Sequence, residues 1–388
     1  MRTHDRGRAF DVAARLVVLA GTFASIRASS AAQDASSLTL PPGFSIAVIA
    51  HVRAARELAA APNGDLLVGT NGRDVVLVPG ADGTPGPPHA FVRLDDGHAA
   101  GVALAGDWLY IGSLHGVWRV PYHPGDTTAR AAPQRLAAVR TIVDGGHSTT
   151  SVAVSGNVLY ASVGSSCNAC VESDPTRATI QQLALDGSGM HPAALNIRNA
   201  IALAVDPASG ALWAGVAGQD ELEPGHPYEI FDDVGAHGGT PDYGWPYCYE
   251  NRRPAHPGRS CAAAVVARVV FPAYETPIGA AFYPERPSGG HPFPAPYRGG
   301  AFVSLHGSWH QPPVAPRVVF VPMHGDEPVT AVNWRDPSTQ WTPFVEGFQA
   351  VDGTRIGRPT GVAVGAGGSL FVADDEAGVV YRIRATGR

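Results

Sequence analysis

The chain has 388 residues, a formal net charge of −6 and 45% hydrophobic residues, enough to bury a large core. Its charges are scattered, so nothing in it favours nucleic acid, and no apolar run is long enough to span a bilayer. Gly 46 and Pro 34 suit many short strands joined by turns, and repeat or all-β folds of this length are often single domains.

Residues 1–32 read as a secretory signal peptide. Arg2, Arg6, Arg8 and Arg15 form a basic n-region, Leu16–Ile26 an apolar h-region, and Ser30-Ala31-Ala32 a small-residue cleavage site. This predicts a periplasmic or secreted protein. Residues 33–42 are expected to be a flexible lead-in. Gly43–His51 then alternates as a strand does.

From there one phrase recurs: an apolar run, a Gly/Asn/Asp turn, a second apolar run, then a small residue. It is present at Leu58–Gly69, Gly101–Gly112, Ser151–Gly164, Ala200–Gly215 and Gly361–Ala373, with a longer insertion joining Gly279–Tyr283 to Gly300–Leu305. Six strand–turn–strand units predict an all-β, six-bladed β-propeller over 43–388. The N-terminal strand is expected to close the ring by pairing with the last unit, which ends Gly378-Val-Val-Tyr-Arg-Ile383. The long insertions between Gly215 and Gly279 and between Ser308 and Arg358 are expected on the functional face.

Four cysteines fit an oxidising compartment. Cys167 with Cys170, and Cys248 with Cys261, are close enough to bridge locally; a zinc site made from both pairs is the other reading.

No GxGxxG fingerprint, Walker loop, GxSxG elbow or HExxH occurs. Candidate chemistry lies instead where repeats meet turns. His147 lies just before the third unit, Arg198-Asn199 just before the fourth and Arg358 just before the last; His306 ends a strand of the fifth. A histidine titrates near working pH and suits a general base. Two arginines on the same rim suit a ligand with several carboxylates. A propeller gathers such equivalent positions at one mouth, so their shared phase predicts one site.

Several ordered phrases carry a resemblance: Val163-Gly-Ser-Ser-Cys-Asn-Ala-Cys170, Ile197-Arg-Asn-Ala200, Asp242-Tyr-Gly-Trp-Pro-Tyr-Cys248, Tyr297-Arg-Gly-Gly-Ala-Phe-Val303, Leu305-His-Gly-Ser-Trp309 and Gly357-Arg-Pro359. The chain resembles the soluble quinoprotein glucose/sorbosone dehydrogenases, most closely their sorbosone-dehydrogenase-like branch. That resemblance implies an enzyme, a sugar dehydrogenase with pyrroloquinoline quinone (PQQ) and calcium as cofactors. It implies oxidation of an aldose or aldehyde sugar, with a quinone or a separate cytochrome as electron acceptor. It assigns His147 as base, Arg198 as electrophilic assistant, and Arg198, Asn199, His306 and Arg358 as PQQ contacts. Backbone carbonyls of Gly218 and Gln219 would hold calcium. The branch usually carries Arg soon after the histidine, where this chain has Thr149-Thr150. A calcium-dependent propeller lactonase or hydrolase and a non-catalytic binding propeller are the alternatives.

Overall fold

The computed structural model describes residues 35–141, 145–308, 310 and 313–387; the expected signal segment lies outside the described residues. Each predicted repeat forms the inner hairpin of a four-stranded antiparallel sheet, and six such sheets follow one another in the chain. Blade 1 runs through Ala55–Ala60, Leu66–Thr70, Asp74–Val78 and His89–Arg93. The inner pairs of the next four blades are Gly101–Ala105 with Trp108–Gly112, Thr150–Ser155 with Val158–Val163, Ala200–Val205 with Leu212–Val216, and Pro277–Phe282 with Ala301–Leu305. Blade 6 starts with Pro359–Val364 and Leu370–Asp374, continues with Val379–Ala385, and takes its outermost strand, Phe44–His51, from the other end of the chain. The register of that seam runs from Phe44 opposite Ala385 to His51 opposite Val379. Each inner strand touches those of both neighbouring blades, and blade 6 touches blade 1.

The glycine that ends several repeats has a steric cause. A Cβ on Gly69 would stand 2.0 Å from the carbonyl oxygen of Ala100, and one on Gly112 would stand 2.1 Å from that of Thr150. Both carbonyls lie at the start of the following blade, so a side chain would push consecutive blades apart.

Six apolar clusters fill the blade–blade contacts, each joining two consecutive blades and one of them joining blade 6 to blade 1. Trp213 shows the construction: fully buried, it meets Phe231 of its own blade at 5.0 Å and Phe282 of blade 5 at 5.8 Å between ring centroids. Each such side chain stabilises the ring by about 1.5–3 kcal/mol through burial.

The lead-in is anchored over its described part. Leu38 is buried in the cluster between blades 5 and 6, and Thr39 exchanges backbone hydrogen bonds of 2.9 and 3.1 Å with Glu346. The insertions divide by strand direction. Residues 217–228 and 346–358 join strands at the rim where the inner strands begin. Residues 234–268 leave from the opposite rim and return towards the first, where Trp245 N–H donates to Asn196 at 3.1 Å. Antiparallel order thus places the residues before every inner strand, and those after every second strand, on one rim.

Candidate active site

That rim opens into a cavity of about 410 Å³ lined by His147, Arg198, Asn199, Gly218, His306 and Arg358, six of the seven predicted site residues. Gln219 lines a different, smaller cavity of about 70 Å³ behind Arg198, together with Tyr243 and Trp245. The Asp242–Pro246 turn therefore backs the site rather than entering it.

His147 is held as a neutral base. Its backbone N–H donates to Ser165 O at 2.9 Å, and its ring Nδ1 lies 3.0 Å from the same oxygen. A carbonyl can only accept, so the proton sits on Nδ1 and Nε2 keeps its lone pair. Burial pushes the imidazole down to about 4, and the Arg198 charge pushes the same way. Two buried arginines grip the loop from behind: Arg140 Nε and Arg177 Nη1 donate to His147 O at 3.1 and 3.3 Å. Neither sits at a blade-start position, so the repeat gave no signal for them.

Arg198 is buried and engages every donor it has. Nε donates to Asn168 O at 3.1 Å, and Nη1 donates to Ala217 O at 3.2 Å and Gly218 O at 2.5 Å. Nη2 donates to Asn168 Oδ1 at 3.0 Å and, more loosely, to Asp220 Oδ2 at 3.4 Å. Asn199 beside it closes over blade 3, where a Cβ on Gly164 would meet Asn199 Oδ1 at 2.3 Å. The same Cβ would also stand 2.6 Å from His147 Cβ, which cannot swing aside, so the Val163-Gly164 step needs glycine.

His306 acts through its neighbour. Its Nδ1 lies 2.7 Å from Arg358 Nη2, and since guanidinium only donates, Nδ1 accepts. The proton is then on Nε2, which donates to Asp375 Oδ1 at 3.1 Å. Both ring nitrogens are thus engaged within the protein, and the Nδ1 bond orients the Arg358 guanidinium.

Two members of this network were missed. Arg56 Nη1 donates to Asp375 Oδ2 at 3.0 Å, and its Nη2 reaches Thr149 Oγ1 at 3.4 Å. Arg56 opens the inner strand of blade 1, and Asp375 follows the second strand of blade 6, so the rim rule that found Arg358 finds both. Arg56 thus brings a guanidinium to Thr149. Glu229 accepts from Gly218 N–H at 2.6 Å and Tyr274 N–H at 3.1 Å, and burial raises it to about 7. Tyr274 takes a left-handed backbone, φ 67°, uncommon for a bulky residue, and stacks on His310 with ring centroids 3.7 Å apart.

All four cysteines are bridged, Cys167 to Cys170 and Cys248 to Cys261. This overturns the zinc reading, because no thiolate remains to bind.

A guanidinium-lined mouth of this shape fits an anionic ligand. The TrAA12-like family profile matches residues 38–257 and 250–386. The chain belongs to the TrAA12-like family. The resemblance to quinoprotein sugar dehydrogenases therefore holds at the level of family. Among solved structures, the Trichoderma reesei carbohydrate-active enzyme of family AA12 superposes with a TM-score of 0.74 at 18% identity, covering 90% of this chain and 97% of that one. The holo PQQ domain of pyranose dehydrogenase from Coprinopsis cinerea gives 0.74 at 20% identity, covering 89% and 97%. The PQQ-bound aldose sugar dehydrogenase from Streptomyces coelicolor gives 0.60 at 18% identity, covering 89% and 99%. At these identities the likeness is one of fold. A curated relative in Borreliella burgdorferi, an uncharacterized protein, is 24% identical over 233 residues; the match spans 58% of this chain and 57% of that relative. No helix among the described residues is long and apolar enough to cross a membrane.

Proposed function

We propose that this TrAA12-like protein is an exported PQQ-dependent dehydrogenase of an aldose or aldehyde sugar. The observation that carries the reading is one cavity holding a neutral His147 with a bare Nε2 beside three guanidinium groups, Arg56, Arg198 and Arg358. The cavity volume lies within the range of small-ligand sites, and its cations match a planar cofactor bearing several carboxylates. When bound, PQQ supplies the hydride acceptor. Arg358, oriented by His306, and Arg56, anchored on Asp375, would hold the cofactor's carboxylates. Arg198 would supply a desolvated charge to polarise the quinone, and Asn199 would add an amide. His147 Nε2 accepts the proton of the sugar hydroxyl, while its Nδ1–H stays on Ser165 and fixes the ring.

For calcium, the candidate donors are the backbone carbonyls of Gly218 and Gln219, of which Gly218 belongs to a residue lining the cavity. Gly218 and Asp220 both line the cavity, and a backbone carbonyl and a carboxylate are both hard oxygen donors. Arg198 bonds the Gly218 carbonyl, so metal and guanidinium would share one oxygen. The two disulfides support an oxidising, periplasmic or secreted location. Electrons would pass to a quinone or a separate cytochrome.

A metal-centred hydrolase would need a cage of side-chain carboxylates. Among the described residues, the metal-like grouping Cys167, Cys170 and Glu172 contains a bridged cysteine pair, so it does not favour that reading. The test is to reconstitute purified apo-protein with PQQ, with and without calcium, and follow dye reduction over panels of aldoses and lactones. Cofactor absorbance with aldose-dependent reduction supports the proposal. No cofactor binding and no reduction, or lactone hydrolysis without PQQ, overturns it.

A further inference from the structure

The Val163–Cys170 phrase supplies neither the base nor an anion contact, yet its cysteine loop reaches Arg198 in the cavity wall. Bridging Cys167 to Cys170, three positions apart with Cα atoms at 6.1 Å, restricts the backbone of Asn168 to few conformations. Its carbonyl accepts from Arg198 Nε at 3.1 Å and from Trp245 Nε1 at 3.2 Å. Its side-chain Oδ1 accepts from Arg198 Nη2 at 3.0 Å and from the Asp220 N–H at 2.7 Å, while Nδ2 donates to Asp220 O at 3.0 Å. One residue thereby joins blade 3, the 217–220 loop of blade 4 and the 234–268 insertion.

The two bonds to Arg198 fall on adjacent nitrogens, Nε and Nη2, and so fix one edge and the plane of the guanidinium. Planar donor geometry makes such a pair an orienting contact as well as an energetic one. The Arg198 side chain is only 7% exposed, so losing both acceptors would strand buried, charged N–H groups and drive the side chain to a different pose. The remaining bonds, from Nη1 to the 217 and 218 carbonyls and from Nη2 to the Asp220 carboxylate, lie on a loop that Asn168 also holds through both backbone groups of Asp220.

We propose that Asn168, held by the Cys167–Cys170 bridge, is the positioning residue for Arg198 and the 217–220 loop, so that the direction of the cavity's buried cation depends on an intact disulfide. The proposal rests on the reading of Arg198 as the group facing the cofactor. A disulfide that only staples the fold would affect melting temperature and leave the arginine where it is.

The decisive measurement uses apo-protein without PQQ: the rate at which phenylglyoxal modifies Arg198, followed by peptide mass spectrometry. Asn168→Ala keeps the backbone acceptor but removes Oδ1, and is expected to be labelled about tenfold faster or more, the scale of one lost bond to a charged group. Asn168→Asp keeps both acceptors for the guanidinium and is expected to return to within about threefold of wild type. Selective reduction of the wild-type bridge, or the Cys167→Ser/Cys170→Ser variant, should accelerate labelling in the same direction; this arm also covers an Asn168→Ala variant that fails to fold. In reconstituted protein, Asn168→Ala should weaken PQQ binding, read by tryptophan fluorescence, and lower kcat more than it changes the sugar KM. Labelling of Asn168→Ala and of reduced protein at the wild-type rate would overturn the proposal, as would faster labelling that Asn168→Asp does not reverse. If wild type shows slow labelling and binds no PQQ, the dehydrogenase reading fails and the positioning role stands.

Discussion

Blades 2 and 4 begin from the same hairpin, Gly101–Ala105 with Trp108–Gly112 in one and Ala200–Val205 with Leu212–Val216 in the other. Both bury the second residue of the outer member, Leu109 and Trp213, completely. At the rim they part. Blade 2 returns through residues 113–115 into Gly116–Pro121 and lines none of the cavity. Blade 4 opens the equivalent connection to residues 217–228 before Glu229–Asp233, and it contributes Arg198, Asn199, Gly218, Asp220 and Glu229 to the wall. A propeller blade thus separates two demands: the interior fixes the ring, while the rim can change length and residue type without disturbing it.

Substitutions can test how complete that separation is. The largest expected effect is on turnover: His147→Ala should lower kcat by about 10²–10⁴-fold, the usual worth of a general base, with little change in melting temperature. On the blade 2 rim, Asp95 is exposed and lines none of the cavity, so Asp95→Ala should leave dye-reduction rates within about twofold, surface changes away from a site being usually small. A large loss there would show that blade 2 takes part after all. In the interior the pattern should reverse. Trp213→Ala should cost about 3–5 kcal/mol and Leu109→Ala about 2–5 kcal/mol of stability in urea unfolding; a near-neutral Leu109→Ala would break the equivalence of the two frames.

Smaller effects come from protonation. Because His147 must be neutral to accept a proton and is held at about 4, kcat/KM should be level near neutrality and fall as pH drops towards 4. Removing the adjacent charge in Arg198→Ala should move that inflection upwards, whatever it does to the rate; an unmoved inflection would mean another group titrates. Smallest is a stability effect in the central channel. Glu57 accepts a hydrogen bond from Ser151, and burial raises its carboxyl from 4.5 to about 8. Between those values the folded protein holds one more proton than the unfolded chain, so stability falls as pH rises through the window. Glu57→Gln should abolish that slope, and the melting-temperature gap between variant and wild type should widen from pH 5 to pH 8.

Much of this was legible in the chain. The repeat carried the blades because each inner hairpin needs apolar faces and a close-approach residue such as Gly69 or Gly112. Phase carried His147, Arg198 and Arg358 to a common mouth, and the same rule reaches Arg56 at the start of an inner strand and Asp375 at the end of a second strand. Arg140, Arg177 and Asn168 were not legible as partners, because they act on backbone carbonyls or through contacts between blades and have no repeat position. The hydrogen bonding of the His306 ring could not be read from its motif, because Arg358 and Asp375, which occupy its two nitrogens, lie 52 and 69 positions away.

The seam between blades 6 and 1 has a consequence for assembly. Arg56 and Asp375 meet across 319 positions, and through His306 that contact also sets Arg358. An unfinished ring lacks this arc of charge, whereas a closed ring acquires it in the same event that hides its last sheet edge. Capture of an anionic cofactor would therefore discriminate between chains whose ends have met and chains whose ends have not, making loading a readout of circular completion.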